Sequence, residues 1–294
     1  MLRIVVTTFA GLLGLDFGSF LNVCLTRWPA GESVVAPRSH CRNCAHTLAW
    51  WENVPLVSWI GLRGRCRSCG EWIGWRYPLV EFLLGMLWAY LAWQSSNSIP
   101  ALEFPFQIFF HVEPFLFQAI LVWFLVALAA LDAENLWLPN WLTYPGIALG
   151  VVEKVVLGVL LSLQPHNDTV GTTALKLAGG AILSAAIAAL LILLIRWVYW
   201  LLRRREGMGL GDAKLMALLA AWLGLPGALL AFALGVVLGA VIAVIQLAVP
   251  SSRAEGERWS LGKLPLGTFL CVGGIVSSLW GQQILAAYYK FAGL

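Results

Sequence analysis

The chain has 294 residues, 60% of them hydrophobic and only 12% charged, with a mean hydropathy of +0.80. That apolar content excludes a water-soluble globular protein and makes this a polytopic membrane protein embedded in a lipid bilayer. The net charge of +4 says little by itself, and no nucleic-acid partner is expected from it.

Apolar runs are read as helices, because backbone in lipid must satisfy its own hydrogen bonds. The first, residues 4–25, is long enough to span and lacks a convincing small-residue cleavage site, so it is expected to be retained. It carries one acid, Asp16, for which the sequence offers no account. A polar segment follows, 27–76, with two C-x2-C pairs, Cys41/Cys44 and Cys66/Cys69, separated by 21 residues. Paired knuckles at this spacing predict a tetrahedral structural zinc site. Four thiolates close the coordination sphere, so the metal is expected to fold a loop too polar and short to form a core. His40 and His46 could stand in for a cysteine, which four thiolates make unnecessary. Cys24 and Cys271 stand alone in apolar runs and are read as buried packing thiols.

Further runs at 77–93, 114–131, 141–163, 176–201, 213–225, 227–249 and 264–287 bring the spans to eight. Only Leu225-Pro226-Gly227 separates the sixth from the seventh, so the count is seven if those two are one. Glu81 lies inside the second span. Glu153 and Lys154 interrupt the fourth and are read as a local ion pair or snorkelling side chains. No internal repeat or low-complexity tract is evident. The predicted fold is therefore all-α, with about eight transmembrane helices and a four-cysteine loop between the first two.

Lys and Arg set the orientation. Arginines crowd the segment 27–76, Arg203-Arg204-Arg205 and Lys214 flank a second loop, and Arg253, Arg258 and Lys263 mark a third. The intervening loops 94–113 and 164–175 hold no Lys or Arg. With eight spans, all the basic segments fall on the cytoplasmic side and both termini outside.

On that same side lie two acids. Asp132 follows the third span, in Leu131-Asp132-Ala133-Glu134. Asp212 sits in the glycine-rich turn Gly207-Met208-Gly209-Leu210-Gly211-Asp212-Ala213-Lys214. Each has a bland reading, a solvated helix-end carboxylate for Asp132 and an N-cap for a helix starting near Ala213 in the case of Asp212. Together they are stronger, because ionisable groups at membrane depth are costly and usually functional. Two neighbouring carboxylates cannot both ionise cheaply, so a pair shares one proton. One acid can then deprotonate water while the other protonates a scissile carbonyl, which is aspartyl peptide hydrolysis. Gly207, Gly209, Gly211 and Lys214 are read as support for the turn and for an approaching peptide. Glu134 rivals Asp132 but would face about 200° away around a helix.

These residues resemble the bacterial type IV prepilin peptidases, bifunctional leader peptidases and N-methyltransferases of the GxGD membrane aspartyl protease type. The resemblance runs through Gly18-Ser19-Phe20-Leu21-Asn22-Val23, the four-cysteine loop with Trp51-Glu52-Asn53-Val54-Pro55, Arg76-Tyr77-Pro78-Leu79-Val80-Glu81, Leu131-Asp132-Ala133, the turn ending at Lys214, and Leu264-Pro265-Leu266-Gly267. It implies that Asp132 and Asp212 are the catalytic pair and that Cys41, Cys44, Cys66 and Cys69 bind zinc. It implies prepilin and type II secretion pseudopilin substrates, cut after a glycine that ends a short basic leader. It also implies methylation of the new N-terminus by S-adenosylmethionine. Asn140 stands where the family often has an acid, which leaves Asp132 the clearer choice.

On this reading residues 1–26 form the first transmembrane helix, 27–76 a cytoplasmic zinc-binding loop and 77–294 a membrane peptidase domain of the bacterial inner membrane. No glycine-rich strand-turn-helix for a methyl donor is visible. The loop 27–76 is the only polar segment large enough to contribute, so residues there, Gly64 for example, are expected to affect methyl transfer. The alternatives are another intramembrane aspartyl protease without methyltransferase activity, and a transporter. A transporter would be expected to carry its acids near the midplane.

Overall fold

The computed structural model describes residues 1–96, 107–163, 170–204, 209–248 and 264–293. The basic turn residue Arg205, the acid Glu206, the expected support residue Gly207, and the basic loop holding Arg253, Arg258 and Lys263 lie outside the described residues. The helices are α1 (Leu2–Arg27), a short α2 (Val57–Gly61), α3 (Arg76–Ser96), α4 (Gln107–Asn135), α5 (Asn140–Ser162), α6 (Val170–Arg203), α7 (Leu210–Ala248) and α8 (Leu266–Ala292). Among the described residues six of them, α1 and α4 to α8, are long and apolar enough to cross a membrane. The chain is thus a multi-pass membrane protein. Large apolar side chains such as Phe9, Phe82, Leu190 and Val237 point outward, as a lipid solvent allows.

The chain forms two compact units, Met1–Ala127 and Leu128–Leu294, with the division inside α4. In the first, α3, the second expected span, lies antiparallel against α1. Gly14 and Gly18 of α1 meet the backbone of α3, since a Cβ would lie 2.6 Å from Leu84 O and 2.7 Å from Glu81 Cα respectively. Small residues let the two backbones approach this closely. Asn22 closes the seam by donating to Tyr77 O at 2.9 Å. Asp16 lies on the exposed side of α1, away from this seam.

In the second unit the expected sixth and seventh spans are two arms of α7, bent at Gly224, whose φ of 70° and ψ of 173° interrupt the helix. A residue without Cβ adopts that backbone without strain. The bend reverses the chain. The first arm runs parallel to α5: Lys214 reaches Asn140, and eight residues on, Trp222 donates to Gly146 O at 2.8 Å. The second arm runs antiparallel to α8: Ser277 donates to Gly227 O at 2.8 Å, and a Cβ on Gly239 would lie 3.1 Å from Phe269. The second arm therefore returns to the end of the unit from which the first departs. The expected interruption of the fourth span is a local ion pair, with Lys154 Nζ 2.7 Å from Glu153.

Candidate active site

Both acids lie in the second unit and are buried, Asp132 at 6% and Asp212 at 8% exposure. Asp132 occupies the last turn of α4. Its Oδ2 accepts from the Thr268 N–H at 2.7 Å and lies 3.2 Å from the Thr268 hydroxyl, which also reaches Ala129 O at 3.0 Å. The backbone of Gly267 also hydrogen-bonds the carboxyl. Gly267 itself presses on the acid: a Cβ there would lie 2.8 Å from Oδ2 and 2.9 Å from Cγ. The rival Glu134 is exposed.

Asp212 sits in the first turn of α7 rather than ahead of it. The helix begins at Leu210, so the expected N-cap role is not the one found. Instead Oδ2 reaches back to the Gly209 N–H at 3.1 Å, the reciprocal half of a capping box. Lys214, one turn from Gly211, donates to Asn140 Oδ1 at 2.5 Å and lies 5.7 Å above the Tyr144 ring, tying the starts of α7 and α5 together. Leu138 packs against the first turns of α7 and α8, which hold or border the two acids: Cβ atoms on Gly211 and on Gly267 would each lie 3.1 Å from its Cδ1. The two carboxylates are within electrostatic reach of one another and of the buried Cys271 thiol. Each carboxyl thus has one oxygen fixed by a backbone N–H.

The second expected site lies wholly in the first unit. The Sγ atoms of Cys41, Cys44, Cys66 and Cys69 all lie within 4.8 Å of one another. Cys41 and Cys69 are 3.8 Å apart and Cys44 and Cys66 3.9 Å. A tetrahedron with metal–sulfur bonds of about 2.3 Å has edges of about 3.8 Å, so the cluster fits a metal held by four thiolates. Each pair is built alike. Cys41 N bonds His46 O and Ala45 N bonds Cys41 O; Cys66 N bonds Glu71 O and Gly70 N bonds Cys66 O. Ala45 and Gly70 both have positive φ. The loop is therefore a duplicated knuckle, an internal repeat that the sequence analysis missed; the aligned Cys-Arg-x-Cys runs at 41–44 and 66–69 were its signal. The Glu71 N–H brings the Cys69 thiol down to about 7 and the N–H groups of Cys69 and Ser68 lower Cys66, whereas at Cys44 the lowering by the His46 N–H is outweighed by desolvation and the neighbouring thiols, which push the thiol up to about 11. His46 is turned to Glu52 at 3.3 Å and His40 to Arg38 O at 3.0 Å.

Beside the knuckles, Glu52 accepts from the Ala49 N–H at 2.7 Å, which with His46 holds its carboxyl below the usual carboxylate range. Glu81 accepts from the Leu56 N–H at 2.8 Å. Gly64 has a φ of 66°, and a Cβ there would lie 2.6 Å from the Trp72 ring and 2.9 Å from Trp59. Cys24 and Cys271 are fully buried, as expected of packing thiols.

Two family models match the chain: the bacterial peptidase A24 N-terminal domain over residues 12–95 and the type IV leader peptidase family over 119–244. The chain is similar to proteins named prepilin leader peptidase/N-methyltransferase. The one from Stutzerimonas stutzeri is 33% identical over 96% of this chain and 93% of its own length. The one from Pseudomonas aeruginosa is 32% identical over 96% and 93%. The one from Myxococcus xanthus is 37% identical over 81% of this chain and 62% of its own length. No solved structure matches.

Proposed function

The chain belongs to the type IV leader peptidase family, and on that premise we propose that it cleaves the basic leader from type IV prepilins and type II secretion pseudopilins and then methylates the exposed amine. The observation that supports the reading is that Asp132 and Asp212 are both buried, within electrostatic reach of one another, each with an oxygen held by a backbone N–H. One carboxylate takes a proton from water, the resulting hydroxide equivalent adds to the scissile carbonyl carbon, and the protonated partner donates to the carbonyl oxygen. Collapse breaks the C–N bond and returns a proton to the leaving amine. Gly209, Gly211 and Lys214 shape the turn that receives the peptide. Acids at helix ends, not at helix centres, favour an interfacial peptidase over a transporter.

The enzyme resides in the bacterial cytoplasmic membrane. Its N-terminus faces outward, and the zinc loop and the acid pair face the cytoplasm, where a positively charged leader remains. Residues 1–26 anchor the chain, 27–76 form the zinc-bound loop and 77–294 the peptidase bundle. Zinc held by Cys41, Cys44, Cys66 and Cys69 folds the loop. S-adenosylmethionine supplies an electrophilic methyl group, which the amine takes up with the C–S electron pair left on sulfur and one proton lost. Gly64 influences this second reaction through Trp72 and Trp59, which a Cβ at its position would meet. The test is to incubate purified protein with a prepilin and follow the mass of the product. Loss of the leader followed by a gain of one methyl group supports the reading, and an unchanged prepilin overturns it.

A further inference from the structure

A cavity of about 540 Å³ opens in the first unit between the knuckle loop, the C-terminal half of α1 and the first turns of α3. Its size suits a small-molecule ligand rather than a single water or ion. Its walls include Ser19 and Asn22 of α1, Glu81 of α3, and Glu52, Trp59 and Trp72 of the loop. Two of these present buried oxygens with no partner: Asn22 Oδ1, in a residue 1% exposed, and Glu52 Oε1, in a residue 6% exposed. A buried acceptor left without a donor costs roughly 1–3 kcal/mol, so an occupant that brings N–H or O–H groups is favoured. The other Glu52 oxygen already serves Ala49 and His46, and Glu81 Oε2 serves Leu56.

The aromatic wall is equally specific. Trp59 and Trp72 meet edge to face with centroids 5.8 Å apart, and the Trp59 indole N–H is fixed on Ile73 O at 3.0 Å. Indole faces attract flat heterocycles and cations. Arg67 also borders the cavity and offers a charge for a ligand carboxylate. Acceptor oxygens, carboxylates, indoles and a guanidinium in one lining match the groups of a cationic amino acid joined to a nucleoside.

We propose that this cavity is the binding site for the methyl donor, with Asn22, Glu52 and Glu81 taking its ammonium, hydroxyl and sulfonium groups and Trp59 and Trp72 its base. The inference rests on the methyltransferase reading above. Gly64 does not line the cavity, but a Cβ there would meet both tryptophans that do, which ties its proposed effect on methyl transfer to this site.

The experiment measures S-adenosylmethionine binding to the full-length protein in detergent by equilibrium dialysis, alongside zinc content. Wild type is also tested for methylation of a pre-cleaved pilin peptide. Asn22→Leu and Glu52→Gln are each expected to weaken donor binding roughly tenfold or more with zinc content retained. Ultraviolet cross-linking of bound donor to wild type is expected to label the peptides that carry Trp59 and Trp72. Wild-type methylation with undiminished binding in both variants, or a label confined to residues 209–248, overturns the cavity assignment while leaving the methyltransferase reading intact. If wild type neither binds donor nor methylates the peptide, both fail. A variant that loses its zinc is set aside in favour of the wild-type label, which decides alone.

Discussion

Thr268 and Asp132, 136 residues apart, meet through two contacts to a single carboxyl oxygen, from the Thr268 N–H at 2.7 Å and its hydroxyl at 3.2 Å. A hydroxyl has one proton but two acceptor lone pairs. It can donate to Asp132 when the acid is ionised, or turn its proton to Ala129 O, 3.0 Å away, and accept from Asp132 when the acid is protonated. Thr268 therefore suits both states that a proton-sharing acid must visit. As a positioning residue it should show in kcat rather than KM. Thr268→Val is expected to lower kcat for leader cleavage about tenfold with KM little changed, and Thr268→Ser to restore it. Equal activity of the Val and Ser variants would remove this role.

The two glycines that flank the acids should differ in sensitivity. A Cβ on Gly267 meets the Asp132 carboxyl itself, whereas one on Gly211 meets only the flexible side chain of Leu138. Displacing a reacting group by about 1 Å costs on the order of a hundredfold. Gly267→Ala is expected to lose cleavage on that scale, and Gly211→Ala to lose much less. Steady-state cleavage of a prepilin by the two variants compares them directly.

Much of this site was legible in the sequence. The acids stand out because a carboxylate beside an apolar run has few ordinary reasons to be there, and Asp212 is framed by glycines. The cysteine spacing announced the knuckles. What escaped was set by contacts distant in sequence. Nothing near Leu264-Pro265-Leu266-Gly267 says that Thr268 will hold Asp132, because the contact depends on α8 starting where α4 ends. Leu225-Pro226-Gly227 marked a break, but the torsion that reverses the chain falls one residue earlier, at Gly224, and only the pairing of Gly227 with Ser277 shows the second arm returning. Asn22 and Glu52 stood in motifs that carry the family resemblance but had no role of their own in the sequence, because only the fold sets their unpartnered oxygens at one cavity.

The cysteine cluster predicts one zinc per chain in metal analysis of the purified protein. Cys41→Ser and Cys66→Ser should each lower zinc content and the thermal stability of the loop, with any loss of cleavage secondary to that. Full zinc occupancy in a variant lacking both Cys66 and Cys69 would contradict a four-thiolate site.

Gly64→Ala combines a strained backbone with contact against two tryptophan rings. It is expected to lower methylation of a pre-cleaved pilin several-fold more than leader cleavage, so the ratio of the two rates should fall. Mass spectrometry of both products in one reaction reads that ratio. A ratio equal to the wild-type value would separate Gly64 from methyl transfer.

The most direct measurement is intact-mass analysis of a prepilin incubated with Asp132→Asn and with Asp212→Asn, each shown to be inserted and zinc-loaded. Asparagine keeps the size and the N–H contacts to Oδ but cannot cycle a proton. Leader cleavage should fall by a thousandfold or more, roughly the scale of acid–base catalysis, in each variant separately. Both should still methylate a pilin supplied with its leader already removed. Near wild-type removal of the leader by either variant would contradict the assignment of Asp132 and Asp212 as the acids that cut the chain.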